Sequence, residues 1–345
     1  MKAKELYKKI TWRKYVLLVS LAVTCVLTLI IDVSTGPARL PISEVFFTII
    51  SPNHSDPTTH VIIWTIRLPM ALMAISVGAA LAIAGAEMQT ILDNPLASPY
   101  TLGVSAGAGF GAALALVLGV GVIPHAETVL VPVNAFIFST LACLLIFFIS
   151  KIRGVSGETM VLAGIALLFL FQALIALLQY LASPEVLQAV VFWLFGSLTK
   201  ATWPKLGVVT AVLLITIPLL LKDVWQLTAL RLGDEKAMSL GINVERLRLK
   251  VFMLISLLVS AAVCFVGTIG FIGLVGPHIA RMLVGEDQRF FLPLSALAGA
   301  ALLSAASIAS KLIIPGVIFP IGIVTSFIGV PFFLSLILIK KRRFW

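Results

Sequence analysis

The chain is a succession of long apolar runs parted by short polar turns. A helix crossing ~30 Å of hydrocarbon needs about 20 mostly apolar residues. Nine runs meet or approach that length: 15–32, 61–90, 100–120, 128–150, 158–181, 203–221, 246–269, 291–313 and 321–339. A tenth, 271–284, is shorter and interrupted by glycine and proline. The pattern predicts an all-α, polytopic membrane protein with about ten transmembrane helices, some short or broken. Run 15–32 follows a basic stretch, as in a signal peptide. No small-residue cleavage site follows it and more spans do, so it is expected to remain as a span. Segment 33–60, with Pro37, Pro41, Pro52 and Pro57, is expected to be an ordered loop carrying a short surface helix. Nothing between the spans is large enough for a soluble domain, so residues 1–345 are read as one membrane domain.

Charge orients the spans. Of the 25 lysines and arginines, twenty fall in the N-terminal stretch, at 151–153, in 222–250, at Arg281 and Arg289, and in Lys340, Lys341, Arg342 and Arg343. The other five are Arg39, Arg67, Lys200, Lys205 and Lys311. The positive-inside rule puts the larger set in the cytoplasm. Both termini are then cytoplasmic, which requires an even number of spans and favours ten over nine. The net charge of +10 is thus a topology signal and no sign of nucleic acid.

Composition removes other classes. Sixty per cent of residues are apolar and 12% charged, against roughly 45–50% and 25% in soluble domains, so an ordinary soluble enzyme is excluded. Cys25, Cys143 and Cys264 lie in apolar runs without CxxC spacing, and the four histidines are scattered, so no disulfide framework or metal site is legible. The chain contains no GxxxxGK[ST], HExxH or GxSxG. Glu87 is read as the clear exception to spans almost free of carboxylates. Ion-coupled carriers usually keep ionisable groups at mid-membrane, so the energy for any transport is expected from a separate subunit.

Two stretches put helix breakers at membrane depth: Asn94-Pro95-Leu96-Ala97-Ser98-Pro99 with the following 102–108, and the glycine- and proline-rich stretch 270–281. Broken backbone must be buried in protein or line a wet cavity, because lipid satisfies neither N–H nor C=O. Asn94, Pro95, Pro99, Gly273 and Pro277 are therefore hinge candidates. Close helix packing is the competing reading of the glycines.

These residues resemble a known family. Arg67-Leu68-Pro69, Gly85-Ala86-Glu87-Met88-Gln89, Asn94-Pro95-Leu96-Ala97 and Leu102-Gly103-Val104-Ser105 are similar to motifs of the FecCD-type permeases. So are Trp193 with Gly196-Ser197, Leu232-Gly233 through Leu240-Gly241, the 270–281 stretch, Pro320-Ile321-Gly322 and Ile328-Gly329-Val330-Pro331. Each motif is weak alone; the ordered set, over about 60–335, is specific. The resemblance implies the permease subunit of a type II ATP-binding-cassette importer, itself no enzyme, in a bacterial inner or cytoplasmic membrane. Two such subunits, identical or related, would enclose a pathway. Two cytoplasmic ATPases would bind the ATP and magnesium, and an external binding protein would deliver cargo. Ferric siderophore is the favoured cargo, with haem, cobalamin and oxyanions as alternatives; an ion-coupled secondary carrier is the runner-up class.

The resemblance also distributes roles. Within 222–245, Leu232, Gly233, Ala237, Leu240 and Gly241 would form coupling helices against the ATPase. Arg67 and Lys311 would receive the binding protein, or else snorkel to the interface. Gln172 and Gln179, seven residues apart on one helical face, would line the pathway or bond a neighbouring helix. Gly157 and Glu158 would belong to a cytoplasmic gate. The resemblance assigns nothing to Glu87, where a small or apolar residue is commoner; near the cytoplasmic end of its span it is read as reaching water or lining the inner vestibule. Ser307 and Ile318 stand where aspartate and glutamate are usual, so apolar packing is expected beside Lys311.

Overall fold

The computed structural model describes residues 2–38, 40–52, 55–119 and 127–339. Arg39, His54, His125 and the basic cluster 340–343 of the charge argument lie outside them.

Among the described residues seven helical units are long and apolar enough to span a membrane. They are α1 (Lys2–Ser34); a continuous unit of α3 (Pro57–His60), a π-helical segment (Val61–Arg67) and α4 (Leu68–Ile91); α6 (Glu127–Arg153); α7 (Gly157–Leu181); α9 (Trp203–Leu221); α12 (Val244–Val266); and α14 (Gln288–Leu312). The other three expected runs are also helices: α5 (Val104–Leu118) and α13 (Ile272–Val284), both shorter, and α15 (Ile321–Ile339). Each of the ten runs is therefore helical. Short polar-side helices complete the chain: α2 (Ile42–Ile50) in the proline-rich loop, and α10 (Val224–Leu230) and α11 (Asp234–Ser239) in the long polar stretch. One element was not foreseen, α8 (Pro184–Leu194). Its 11 residues fall short of a spanning run, although Ser183-Pro184-Glu185 has the composition of a helix start.

The helices alternate between two ends of a bundle. The basic end holds the start of α1, the turn after α4, the α6–α7 loop, α10, α11 and the α13–α14 turn. Ion pairs and hydrogen bonds join these parts: Lys14 with Asp287, Arg231 with Asp93 and Glu286, and Arg248 with the Val155 carbonyl. At 33 residues α1 is about 50 Å long, so its first turns run past the hydrocarbon.

Helix α4 is the axis of the bundle. It is apolar around its whole circumference, with Met73, Val77, Ile83 and Met88 fully or almost fully buried, as a central membrane helix must be. It packs most extensively on α14, with α12 and α13 beside it. Glycine permits the approach. A Cβ on Gly85 would stand 1.8 Å from the Gly273 carbonyl oxygen, and one on Gly78 2.4 Å from that of Gly299. The first contact has a sequence cause. Pro277 lies inside α13 and lacks the N–H that would bond the carbonyl four residues back. That carbonyl is Gly273's, the one turned onto Gly85.

The second break shows how irregular backbone is satisfied without water. At 13 residues α13 is about 20 Å long, so the 267–271 turn lies within the bundle. Ser197 N–H donates to the Val266 carbonyl (2.7 Å), and Thr268 Oγ1 donates to the Leu194 carbonyl. The Ile321 and Gly322 N–H groups donate to the Gly196 and Phe195 carbonyls at 3.2 and 2.9 Å. The end of α8, the α12–α13 turn and the start of α15 thereby complete one another.

Candidate functional site

Side chains from six parts of the chain converge at the basic end. Helix α10 leads through Arg231, Leu232 and Gly233, at φ +99°, into α11, and Gly241, at φ +83°, turns the chain toward α12. Positive φ at both positions favours glycine. Leu232, Met238 and Leu240 are more than half exposed, as is Trp225 on α10. Ala237, expected with the exposed set, is fully buried and packs inward instead. The result is a pair of short helices offering apolar side chains amid charge.

Two arginines tie this pair to the bundle. Arg248, 3% exposed, donates through Nε to the Ile91 carbonyl (2.6 Å) and through Nη1 to the Val155 carbonyl (2.7 Å). Its Nη2 reaches both carboxylate oxygens of Asp234, at 3.0 and 3.1 Å. The end of α4, the α6–α7 loop and α11 are thus held on one planar group, which a lysine could not reproduce. Arg231 donates to Asp93 Oδ1 and to Glu286 Oε1, each at 2.9 Å. Glu286 also pairs with Arg281 Nε at 2.9 Å, and Arg281 Nη2 donates to Gln89 Oε1 at 2.9 Å. Gln89 lies in the last turn of α4 and Asp93 in the turn that follows it, so the circuit Gln89–Arg281–Glu286–Arg231–Asp93 returns to the end of α4. Sequence reading counted Arg248 only toward the sign of the charge and took Arg231 only as the first residue of the coupling segment, with no partner for either. It singled out the stretches of Gln89 and Arg281 without linking them.

Around this network sit the proposed gate and hinge residues. The start of α7 abuts the turn after α4: a Cβ on Gly157 would stand 2.7 Å from the Leu92 carbonyl oxygen. Ser156 Oγ caps α7 by accepting from Thr159 N–H at 3.1 Å, and Glu158 is exposed. Asp93, at φ +46°, opens the turn, and Asn94 Oδ1 accepts from Leu96 N–H at 2.9 Å. The turn folds back into the bundle, where Pro99 Cδ lies 3.3 Å from where a Cβ on Gly273 would be. Of the hinge candidates, Pro99 and Gly273 are brought together and Pro277 lies one turn beyond. Beside the network Asp287 caps α14; two hydrogen bonds from Arg289 hold its carboxyl below the usual carboxylate range.

The opposite end differs from expectation. Arg67 does not stand free: it is 3% exposed and donates to the carbonyls of Val33 (3.2 Å), Ser34 (3.1 Å) and Ala38. It thus satisfies the open C-terminal carbonyls of α1. Lys311 is buried too, with Nζ 2.7 Å from Asp32 Oδ1 and 2.8 Å from the Asp32 carbonyl oxygen. Ser307 Oγ donates to the same carboxylate oxygen at 2.9 Å. Two readings are corrected. Glu87 is not alone, because α1 runs on to Ser34 and carries Asp32 inside the bundle. The surroundings of Lys311 are a polar cluster and not apolar packing, since Ser307 turns its hydroxyl to an acid from α1. Glu87 itself is fully buried, and among the described residues neither of its oxygens has a hydrogen-bond partner. It does not reach water. Gln172 lies exposed and Gln179 half-buried on an α7 face on which Leu162, Phe169 and Tyr180 are largely uncovered by the described residues.

A polytopic helical bundle with two interrupted helices and a paired-helix segment tied to both interruptions has the build of a transport subunit. The FecCD transport family model matches residues 24–339, and the chain belongs to that family. It is similar to MJ0087 of Methanocaldococcus jannaschii, at 39% identity over 98% of each chain. It is also similar to the hemin transport system permease protein HmuU of Yersinia pestis, at 38% identity over 92% of this chain and 95% of that one. Relatives at 35–36% identity bear names for import of ferric citrate, molybdate and vitamin B12. Among solved structures, an inward-facing ABC transporter described as of metal-chelate type matches with a TM-score of 0.82. It is 32% identical and covers 94% of this chain and 99% of that one. The family is one of ABC transporter permeases, transport subunits that catalyse no reaction and leave ATP hydrolysis to a separate subunit. The ion-coupled carrier is thereby set aside.

Proposed function

We propose that this chain imports a metal chelate, most specifically a ferric siderophore, across a bacterial cytoplasmic membrane with its basic end in the cytoplasm. The observation that carries the reading is the α10–α11 pair, with Leu232, Met238 and Leu240 exposed and two arginines leading from it to the turn after α4. Apolar side chains at such a density on a charged end suit a groove on a partner protein. The partners are two ATPase subunits, which hold the ATP and magnesium, and a second copy of this chain or a related permease. The largely uncovered apolar face of α7, with Gln172 and Gln179, is the surface for that second permease and the pathway between the two. A binding protein delivers the chelate at the opposite end, where Arg67 and Lys311 organise the docking surface from beneath it. Relatives named for hemin, ferric citrate and iron chelatin support an iron chelate ahead of cobalamin and molybdate; siderophore is placed ahead of haem on the family resemblance alone.

Purification of the complex with its ATPase and binding protein, followed by native mass spectrometry, tests the partners; two permeases and two ATPases are expected. Uptake of a ferric hydroxamate, haemin, cyanocobalamin and molybdate by the reconstituted complex tests the cargo. Preference for haemin, cyanocobalamin or molybdate over the ferric hydroxamate would refute the siderophore assignment and leave the importer intact.

A further inference from the structure

Arg231 occupies a singular position. It is the junction residue between α10 and α11, and one guanidinium reaches two turns far apart in the chain. Asp93 opens the turn between α4 and α5, and Glu286 lies in the turn between α13 and α14. These turns end the two helices packed through Gly85 and Gly273; the first leads into the 94–108 interruption and the second follows the 270–281 one. Glu286 and Arg281 extend the link to Gln89, which returns it to α4. The side chain of Arg231 is 18% exposed, that of Glu286 37% and that of Asp93 73%. Such half-open pairs are individually weak and can exchange partners. Arg248 contrasts with it, being buried and bonded to two backbone carbonyls as well as to the Asp234 carboxylate, an arrangement that resists change.

We propose that Arg231 is a positioning residue for transport, relaying movement of the α10–α11 pair to the inner ends of α4 and α13 together. The proposal rests on the reading of α10–α11 as the ATPase docking segment. Arg248 fixes α11 to the bundle, and Arg231 sets the relative position of the two turns. When the docked pair tilts, the fork turns with it and draws the Glu286 turn past the Asp93 turn, so that α13 is displaced along α4. With the fork removed, the pair still docks and the two turns keep their spacing.

The test uses the permease assembled with its ATPase in liposomes. Cysteines placed at Leu96, in the turn after α4, and Leu283, at the end of α13, are both on exposed positions. The three native cysteines are buried and inert to labelling. Spin labels at 96 and 283 report the distance between the turns with and without ATP plus vanadate. The wild-type background is expected to show a nucleotide-dependent shift in that distance. Arg231→Gln is expected to assemble with an unchanged thermal midpoint and to reduce the shift at least twofold. Glu286→Gln should do the same, and the double variant should lose no more than either single one, because both cut one link. If Arg231→Gln fails to assemble, Arg231→Lys takes its place: one ammonium holds one carboxylate at a time, and the shift should again fall. An undiminished shift in the Arg231 variant used, or losses that multiply in the double variant, would overturn the relay alone. A wild-type complex without any nucleotide-dependent shift would overturn the docking reading, and the relay with it.

Discussion

Among the described residues, buried charged side chains separate into those with partners and one without, Glu87. Lys311 and Asp32 neutralise one another inside the bundle, 2.7 Å apart. Removing one member of such a pair leaves an uncompensated charge and costs about 3–5 kcal/mol. Lys311→Met should therefore lower the thermal midpoint steeply, and Lys311→Met with Asp32→Asn should recover most of the loss, read by thermal unfolding in detergent. Among the described residues Glu87 has no hydrogen-bond partner to lose, so Glu87→Gln should shift the midpoint by less than about 3 °C. A drop well beyond that would reveal a partner for the carboxylate. Residue types alone could not separate these cases. Glu87 stands out in a sequence, whereas Asp32 at the end of a run looks like the start of a loop. Arg67 and Lys311 look like outer-face charges until the α1 carbonyls and Asp32 are seen to occupy them.

Elements are where sequence reading was most complete. Each apolar run is a helix because hydrocarbon forces every backbone group to find its bond locally, and run length then reports the span directly. The same rule explains what was overlooked. Helix α8 is too short to register as a span, and the bonds that complete it come from Gly322, Ile321 and Thr268, far away in the chain. Glycines carried an ambiguity between packing and hinge that only their neighbours resolve. Gly85 lies under the carbonyl freed by Pro277, so Gly85→Ala should separate α4 from α13, at a cost of about 3 kcal/mol or more. Gly207, on the exposed face of α9 with nothing within 4 Å of a Cβ, is the control. There alanine should be neutral or stabilising by about 0.5–1 kcal/mol. Equal effects at the two positions, measured as midpoints in parallel, would contradict the packing account. Gly241 differs again: its Cβ space is open but φ is +83°. Gly241→Asn tolerates that backbone and should retain transport, whereas Gly241→Arg should insert normally yet abolish ATP-dependent uptake by obstructing the docking face.

Across the whole molecule, the work is divided between ends. At the opposite end two buried cations, Arg67 and Lys311, hold the end of α1; the basic end carries exposed apolar side chains and a circuit of half-open ion pairs. That asymmetry suits a subunit moved from one side only. The family was legible from ordered motifs, because they mark backbone breaks whose positions the bundle fixes. The circuit was not, since Gln89, Asp93, Arg231, Arg281 and Glu286 are brought together by topology and share no local spacing. The central claim is that this chain is a passive conduit moved by nucleotide hydrolysis on another subunit. Accumulation of labelled ferric hydroxamate in liposomes, compared between the permease alone and the permease with its ATPase and loaded binding protein, tests it most directly. The account predicts concentrative uptake only when the ATPase and ATP are both present; uphill accumulation by the permease alone would contradict it.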